Sequence, residues 1–177
     1  MMTMPDLRYP AGKFDSAAPR TAESRAAAIA DLAAHPAALR AAVAGLTDAQ
    51  LDTPYRPDGW TVRQVVHHLA DSHMNAFIRF KLALTEDAPQ IKPYDEKAWV
   101  TLADVQGQDI EGSLLILQGL HARWSALLSS LAPEQLDRTF LHPESGPQKL
   151  DRTLQTYAWH CRHHVAHVAR LRERSGW

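Results

Sequence analysis

The sequence predicts an all-α protein: a four-helix bundle with long connections and an N-terminal arm. Three observations lead there. Four long segments carry apolar residues at helical spacing. Capping signals open the short segment at Thr47 and the long one at Thr61. No stretch reads as a strand. The length, 177 residues, suits one domain spanning 1–177, with enough chain to bury a core.

The first twenty residues hold three prolines and little periodicity, so they are expected as an arm over the surface. The Ala-rich run from Thr21 to Gly45 is good helix material. Pro36 lies inside it, and a break or kink is expected near His35. Thr47 and Gln50 have capping-box spacing for a single turn. Pro54, Pro57 and Gly59 make the stretch after it a loop. Thr61 and Gln64 repeat the box before a long apolar run that should end near Leu84. Glu86 to Asp109 has no clean period, and a connection this long is often functional or covers something. A third helix is expected from about Gly112 to Leu131, then a short turn from Pro133 through Leu136. The HPESGPQK stretch reads as a loop. The last helix should run from Asp151, a plausible N-cap, to about Arg174, with Gly176 just beyond its end.

Composition narrows the function. Apolar residues make up 45% and the formal net charge is −1, which gives no general attraction to nucleic acid. No apolar run approaches the roughly 18 residues of a bilayer span. The single cysteine, Cys161, allows no internal disulfide and suits a reducing cytoplasm. It sits next to His160 but about 100° around the helix, and is expected in the core rather than as a ligand.

Histidine is the anomaly. The chain has ten, and seven fall in two short stretches: His67, His68 and His73, then His160, His163, His164 and His167. Histidine is the commonest metal ligand. His160 and His164, four apart, share a helix face and can converge on one ion. A third ligand can come from the facing helix, where His67, His68 and His73 are all candidates. HExxH is absent, which disfavours a zincin-type protease. Glu-x-x-His is absent too, which disfavours a di-iron carboxylate site. Three imidazoles with an open position instead match a catalytic zinc site, where bound water becomes a nucleophile. Nickel and other first-row ions also accept that donor set. Asp71, three residues after His68, could orient its imidazole. Asp95 and Glu96, in the irregular PYDEKAW segment, are candidate general bases if that segment folds over the bundle. Arg56, Arg63, Arg79 and Lys81 could together form a basic pocket.

The stretch GWTVRQVVHHLADSHMNAFIRFKLALTED from Gly59 to Asp87, with PYDEKAW at 93–99 and WHCRHHVAH at 159–167, resembles the YfiT family of metal-dependent hydrolases in the DinB-like superfamily. The likeness covers the chain from about Leu51 to its end. It implies a bundle of unusual connectivity, a homodimer, and one divalent ion per subunit, zinc first and nickel second. In that family the histidine directly before Leu-Ala is the constant ligand, which here is His68. The other two match His160 and His164. Members read WHSHHHIAH where this chain has WHCRHHVAH, so Cys161 and Arg162 depart from the pattern and spare both ligands. The implied activity is hydrolysis of a small molecule. The alternatives are a metal-dependent thiol S-transferase, as found among DinB-like relatives, and a metal-binding protein without catalysis.

Overall fold

The computed structural model describes residues 6–177. Four long helices form a bundle: α1 (Ala22–Val43), α3 (Val62–Thr85), α5 (Glu111–Ser130) and α6 (Leu150–Ser175). Two single turns, α2 (Asp48–Leu51) and α4 (Glu96–Trp99), and a 3₁₀ turn (Pro133–Asp137) lie in the connections. Both expected capping boxes form. The Thr61 hydroxyl accepts from the Gln64 amide at 3.1 Å, and the Gln64 side chain accepts from the Thr61 amide at 3.0 Å. Thr47 and Gln50 make the same reciprocal pair. Gly176 ends α6 in the left-handed region at φ 70°, a conformation that costs a residue with a Cβ roughly 1–2 kcal/mol.

Three expectations need correction. Pro36 does not break α1, which runs unbroken from Ala22 to Val43. The HPESGPQK stretch is not a plain loop. A hairpin forms from β1 (Thr139–His142) and β2 (Gly146–Lys149), paired antiparallel with Thr139 opposite Lys149. Its stability comes from outside the segment, because the Leu141 amide donates to the Pro89 carbonyl and the Ile91 amide to the Leu141 carbonyl. Asp151 does not cap α6. Lys149 occupies that position, and Asp151 is buried in an ion pair with Arg25 at 2.6 Å.

The bundle holds two apolar clusters, one above the other. The first contains Leu32, Phe77, Phe80, Trp124, Leu128 and Leu154. The second contains Leu39, Val43, Val65, Leu69, Leu117 and Val168. Chain direction follows from the order in which each helix visits them. α1 and α6 run from the first cluster to the second, and α3 and α5 run from the second to the first. α1 packs mainly on α6 and α5, and α3 packs on the same two, so α1 and α3 lie across a diagonal. α3 and α5 are therefore parallel neighbours. A short hairpin cannot join them, because the chain must travel back along about 30 Å of helix before α5 starts. The irregular segment from Glu86 to Ile110 makes that return journey.

Candidate metal centre

Three long helices each place one histidine between the two apolar clusters, His35 from α1, His73 from α3 and His121 from α5, and α6 adds His160 beside His73, at the end of its first-cluster residues. His68 and His164 lie one turn away toward the second cluster on α3 and α6. The amphipathic pattern explains the placement. His35 continues the buried series Ala28, Leu32, Leu39, Val43, and His121 continues Leu114, Leu117, Trp124, Leu128. These are core positions filled by a polar ring.

α3 and α6 bring His68, His160 and His164 together. The Nε2 of His160 is 3.4 Å from that of His68 and 3.1 Å from that of His164. One ligand nitrogen from each of the three lies within 4.8 Å of the other two. Tetrahedral ligands about 2.0–2.1 Å from a zinc ion would stand roughly 3.3 Å apart. Hydrogen bonding alone suits this triangle poorly, since one proton bridges only one pair of nitrogens. A cation satisfies all three lone pairs. Burial pushes the His68 imidazole down to about 4. Burial, then the neighbouring histidines, holds His160 and His164 well below the usual range. All three are thus neutral at pH 7, the state that ligates a metal. The Trp60 ring lies 4.6 Å from the His68 ring and walls one side.

Of the other candidates for the third ligand, His67 turns away and bonds Ser113 Oγ through Nδ1 at 2.8 Å. His73 lies behind His160, with its Nε2 3.1 Å from His160 Nδ1. His163 stacks on Trp159 and His167 on Tyr55, beneath the N-terminal arm. The arm is fastened there, with the Trp159 indole donating to the Gly12 carbonyl at 3.0 Å. Cys161 is buried in the first apolar cluster, and burial raises its thiol. Asp71 makes no hydrogen bond to His68, contrary to expectation. Its carboxyl is pushed up to about 6, by burial and then by Asp104.

A cavity of about 810 Å³ reaches the triangle at His160 alone and is also lined by Tyr157, Ser72, Tyr94, Arg79, Asp95 and Glu96 among others. The PYDEKAW segment does fold over this part of the bundle. Asp95 caps α4, its Oδ1 accepting from the Lys97 and Ala98 amides at 3.0 Å each. Glu96 is exposed and carries no such duty. Burial pushes the Tyr94 phenol up to about 12, so it stays a neutral donor. Of the four expected basic residues, only Arg79 lines the cavity. Arg63 is buried in pairs with Asp48 and Asp52, while Arg56 and Lys81 lie over Tyr55 and Phe77.

His35 and His121 were the residues that sequence reasoning missed. The available signal was a histidine occupying a core position of an otherwise apolar helical stripe.

Facing helices that aim three neutral imidazoles at one point, beside an open cavity, define a class: helical bundles able to hold a metal ion between their helices. The model of the DinB superfamily matches residues 31–168. "Putative metal-dependent hydrolase YfiT" of Bacillus subtilis (strain 168) is 51% identical over 177 residues, 99% of each chain. A relative in Bacillus mycoides (strain KBAB4), also named as a "putative metal-dependent hydrolase", is 52% identical over 98% of this chain and 100% of its own. The solved structure of Bacillus subtilis YfiT superposes with a TM-score of 0.93 at 52% identity, covering 97% of this chain and 98% of that one. It is described as "a probable metal-dependent hydrolase with an unusual four-helix bundle topology". The chain belongs to the YfiT family of the DinB superfamily.

Proposed function

We propose that this protein is a metal-dependent hydrolase of a small molecule, with His68, His160 and His164 holding one divalent ion. The observation that carries the reading is the triangle of Nε2 atoms, 3.1 and 3.4 Å about His160, with His160 itself lining the 810 Å³ cavity. Zinc is the first choice and nickel the second for an all-imidazole donor set. Such an ion lowers the pKa of water toward about 7 and so supplies a nucleophile at neutral pH.

The chain's own groups divide the remaining work. Glu96 and Asp95 line the same cavity as His160 and are the carboxylates available as proton acceptors. Glu96 is the better placed of the two for that role, because one Asp95 oxygen already caps α4. Tyr94 and Arg79 face the same space as a neutral and a cationic donor for a polar substrate. Trp60 restricts water on the far side of His68.

Thiol S-transfer stays as the second reading on the strength of Arg79 and Lys97, two cations of the cavity lining that could meet a thiol's carboxylate. The two separate by reaction: the hydrolase consumes an ester or amide with water alone, and the transferase consumes a thiol with an electrophile. The metal site is tested by His160→Ala. Elemental analysis by mass spectrometry should find one zinc or nickel per wild-type chain and less than a tenth of that in the variant at neutral pH. Full occupancy in His160→Ala would rule the site out.

A further inference from the structure

We infer that His73 and His121 form a hydrogen-bonded chain that fixes His160 in the one tautomer able to offer Nε2 to a metal. The chain is anchored by a backbone carbonyl that Pro36 sets free. It rests on the metal site proposed above and gives the layer beneath that site a role.

The distances run in sequence through the bundle centre. His160 Nδ1 is 3.1 Å from His73 Nε2. His73 Nδ1 is 2.7 Å from His121 Nε2. His121 Nδ1 is 2.6 Å from the Leu32 carbonyl oxygen. His73 and His121 are each at most 1% exposed, so water is not an alternative partner.

Direction follows from chemistry. A carbonyl only accepts, so His121 carries its proton on Nδ1 and donates it to Leu32. A neutral imidazole then has a bare Nε2, which accepts from His73 Nδ1–H. His73 in turn has a bare Nε2, which accepts from His160 Nδ1–H. That leaves the His160 Nε2 lone pair pointing at His68 and His164. One assignment satisfies every nitrogen in the chain, and reversing any link breaks the one below it. Ligating histidines commonly donate their second N–H to a fixed acceptor, which sets ring orientation and ligand basicity. Here the fixed acceptor is reached through two further imidazoles.

The far end has a sequence cause. In an α-helix the Leu32 carbonyl would receive the amide of residue 36. Residue 36 is proline and has no N–H. The mid-helix proline therefore leaves one buried carbonyl in α1 without its helical donor, and His121 of α5 supplies it.

His35 is the control. It lies in the same layer, 5.2 Å ring to ring from both His73 and His121, yet neither of its nitrogens has a partner among the described residues. His35, His73 and His121 are also close enough to hold an ion of their own. An ion on His73 Nε2 would take the lone pair that His160 Nδ1–H needs, and one on His73 Nδ1 would move that proton to Nε2, opposite His160 Nδ1–H. Two N–H groups would then face each other at 3.1 Å. The chain and a second ion are mutually exclusive.

The experiment is a long-range ¹⁵N–¹H correlation on histidine-labelled full-length protein, before and after zinc loading. His73, His121 and His160 should each show a protonated Nδ1 in both states, with Nε2 bare on His73 and His121 throughout and the His160 Nε2 resonance moving to a metal-bound position when zinc is added. A proton on Nε2 of His73 or His121, or two zinc ions per chain, would overturn the inference. If the wild type binds no zinc, the metal reading fails, while the tautomers of His73 and His121 still decide the chain. In competition titrations His73→Phe should weaken zinc binding 10- to 100-fold. His73→Gln, whose amide oxygen can accept from His160, should recover most of it, and His35→Leu should stay within about threefold of wild type, the scatter expected of packing effects alone. Equal losses in His35→Leu and His73→Phe would reduce the effect to packing and refute it.

Discussion

At the scale of single residues, the interior is notable for what its polar groups touch. The interior spends six positions on His35, His68, His73, His121, His164 and His167, each at most 6% exposed. Burying an imidazole is tolerable when its nitrogens are matched, and expensive when they are not. His121→Leu fits the space yet leaves the Leu32 carbonyl and the His73 Nδ1–H without partners. The expected cost is about 2–4 kcal/mol, from two orphaned buried groups at about 1–3 kcal/mol each less the gain from an apolar side chain. Urea unfolding of metal-free protein reads it, and a loss under about 1 kcal/mol would mean that these groups find other partners. Arg63 shows the complementary case. Its guanidinium is buried, but Asp48 and Asp52 and the Gln108 carbonyl surround it and tie the α2 turn and the return segment to α3.

At the scale of elements, helix starts are set by short-range chemistry and can be altered there. α3 begins at a complete capping box and carries His68 and His73. Thr61→Ala removes the acceptor for the Gln64 amide and should cost about 1 kcal/mol. Because the fault lies at the helix end, thermal unfolding should register the loss while metal stoichiometry stays at the wild-type value. A variant that lost metal without losing stability would contradict this view of α3. The hairpin is the opposite type of element. Its second strand, Gly146–Lys149, contains Pro147 and has almost no strand propensity. It exists because Leu141 is pinned to Pro89 and Ile91 of the return segment.

At the scale of the whole molecule, the histidine layer should govern acid stability. Burial lowers His35 to about 3 and His121 to about 4, and His163 and His167 also fall to about 4, against 6.5 in the unfolded chain. Between those values the unfolded chain binds protons that the folded one refuses. Stability is therefore complete above about pH 6.5 and declines as pH falls from there toward 4. Asp71, raised to about 6, acts in the opposite sense but is one group against several. The urea midpoint of metal-free protein should drop steadily from pH 7 to pH 5, before the ordinary carboxylate range is reached. A midpoint unchanged across that interval would show that the layer is hydrated or protonated in the fold.

Much of this was legible in the chain. The four helices follow from apolar spacing and caps, which act within a few residues. The His160 and His164 pair follows from helical geometry alone. The choice of His68 over His67 and His73 rested on resemblance. In the structure His68 is the one of the three that joins His160 and His164 in a group, while α3 turns His67 toward Ser113 and sets His73 behind His160.

The readable part was therefore local: where helices start, which face of each is apolar, and that two histidines on α6 share a face. The tertiary structure decided what depends on helices meeting. It made α3 and α5 parallel neighbours, and so required the long return segment that brings Asp95 and Glu96 over the cavity. It kept α1 whole through Pro36, because a donor from α5 meets the carbonyl that the proline leaves bare. The physical reason is common to both. Caps and periodicity are satisfied within one segment, whereas a buried nitrogen or carbonyl finds its partner only once another helix has packed against it.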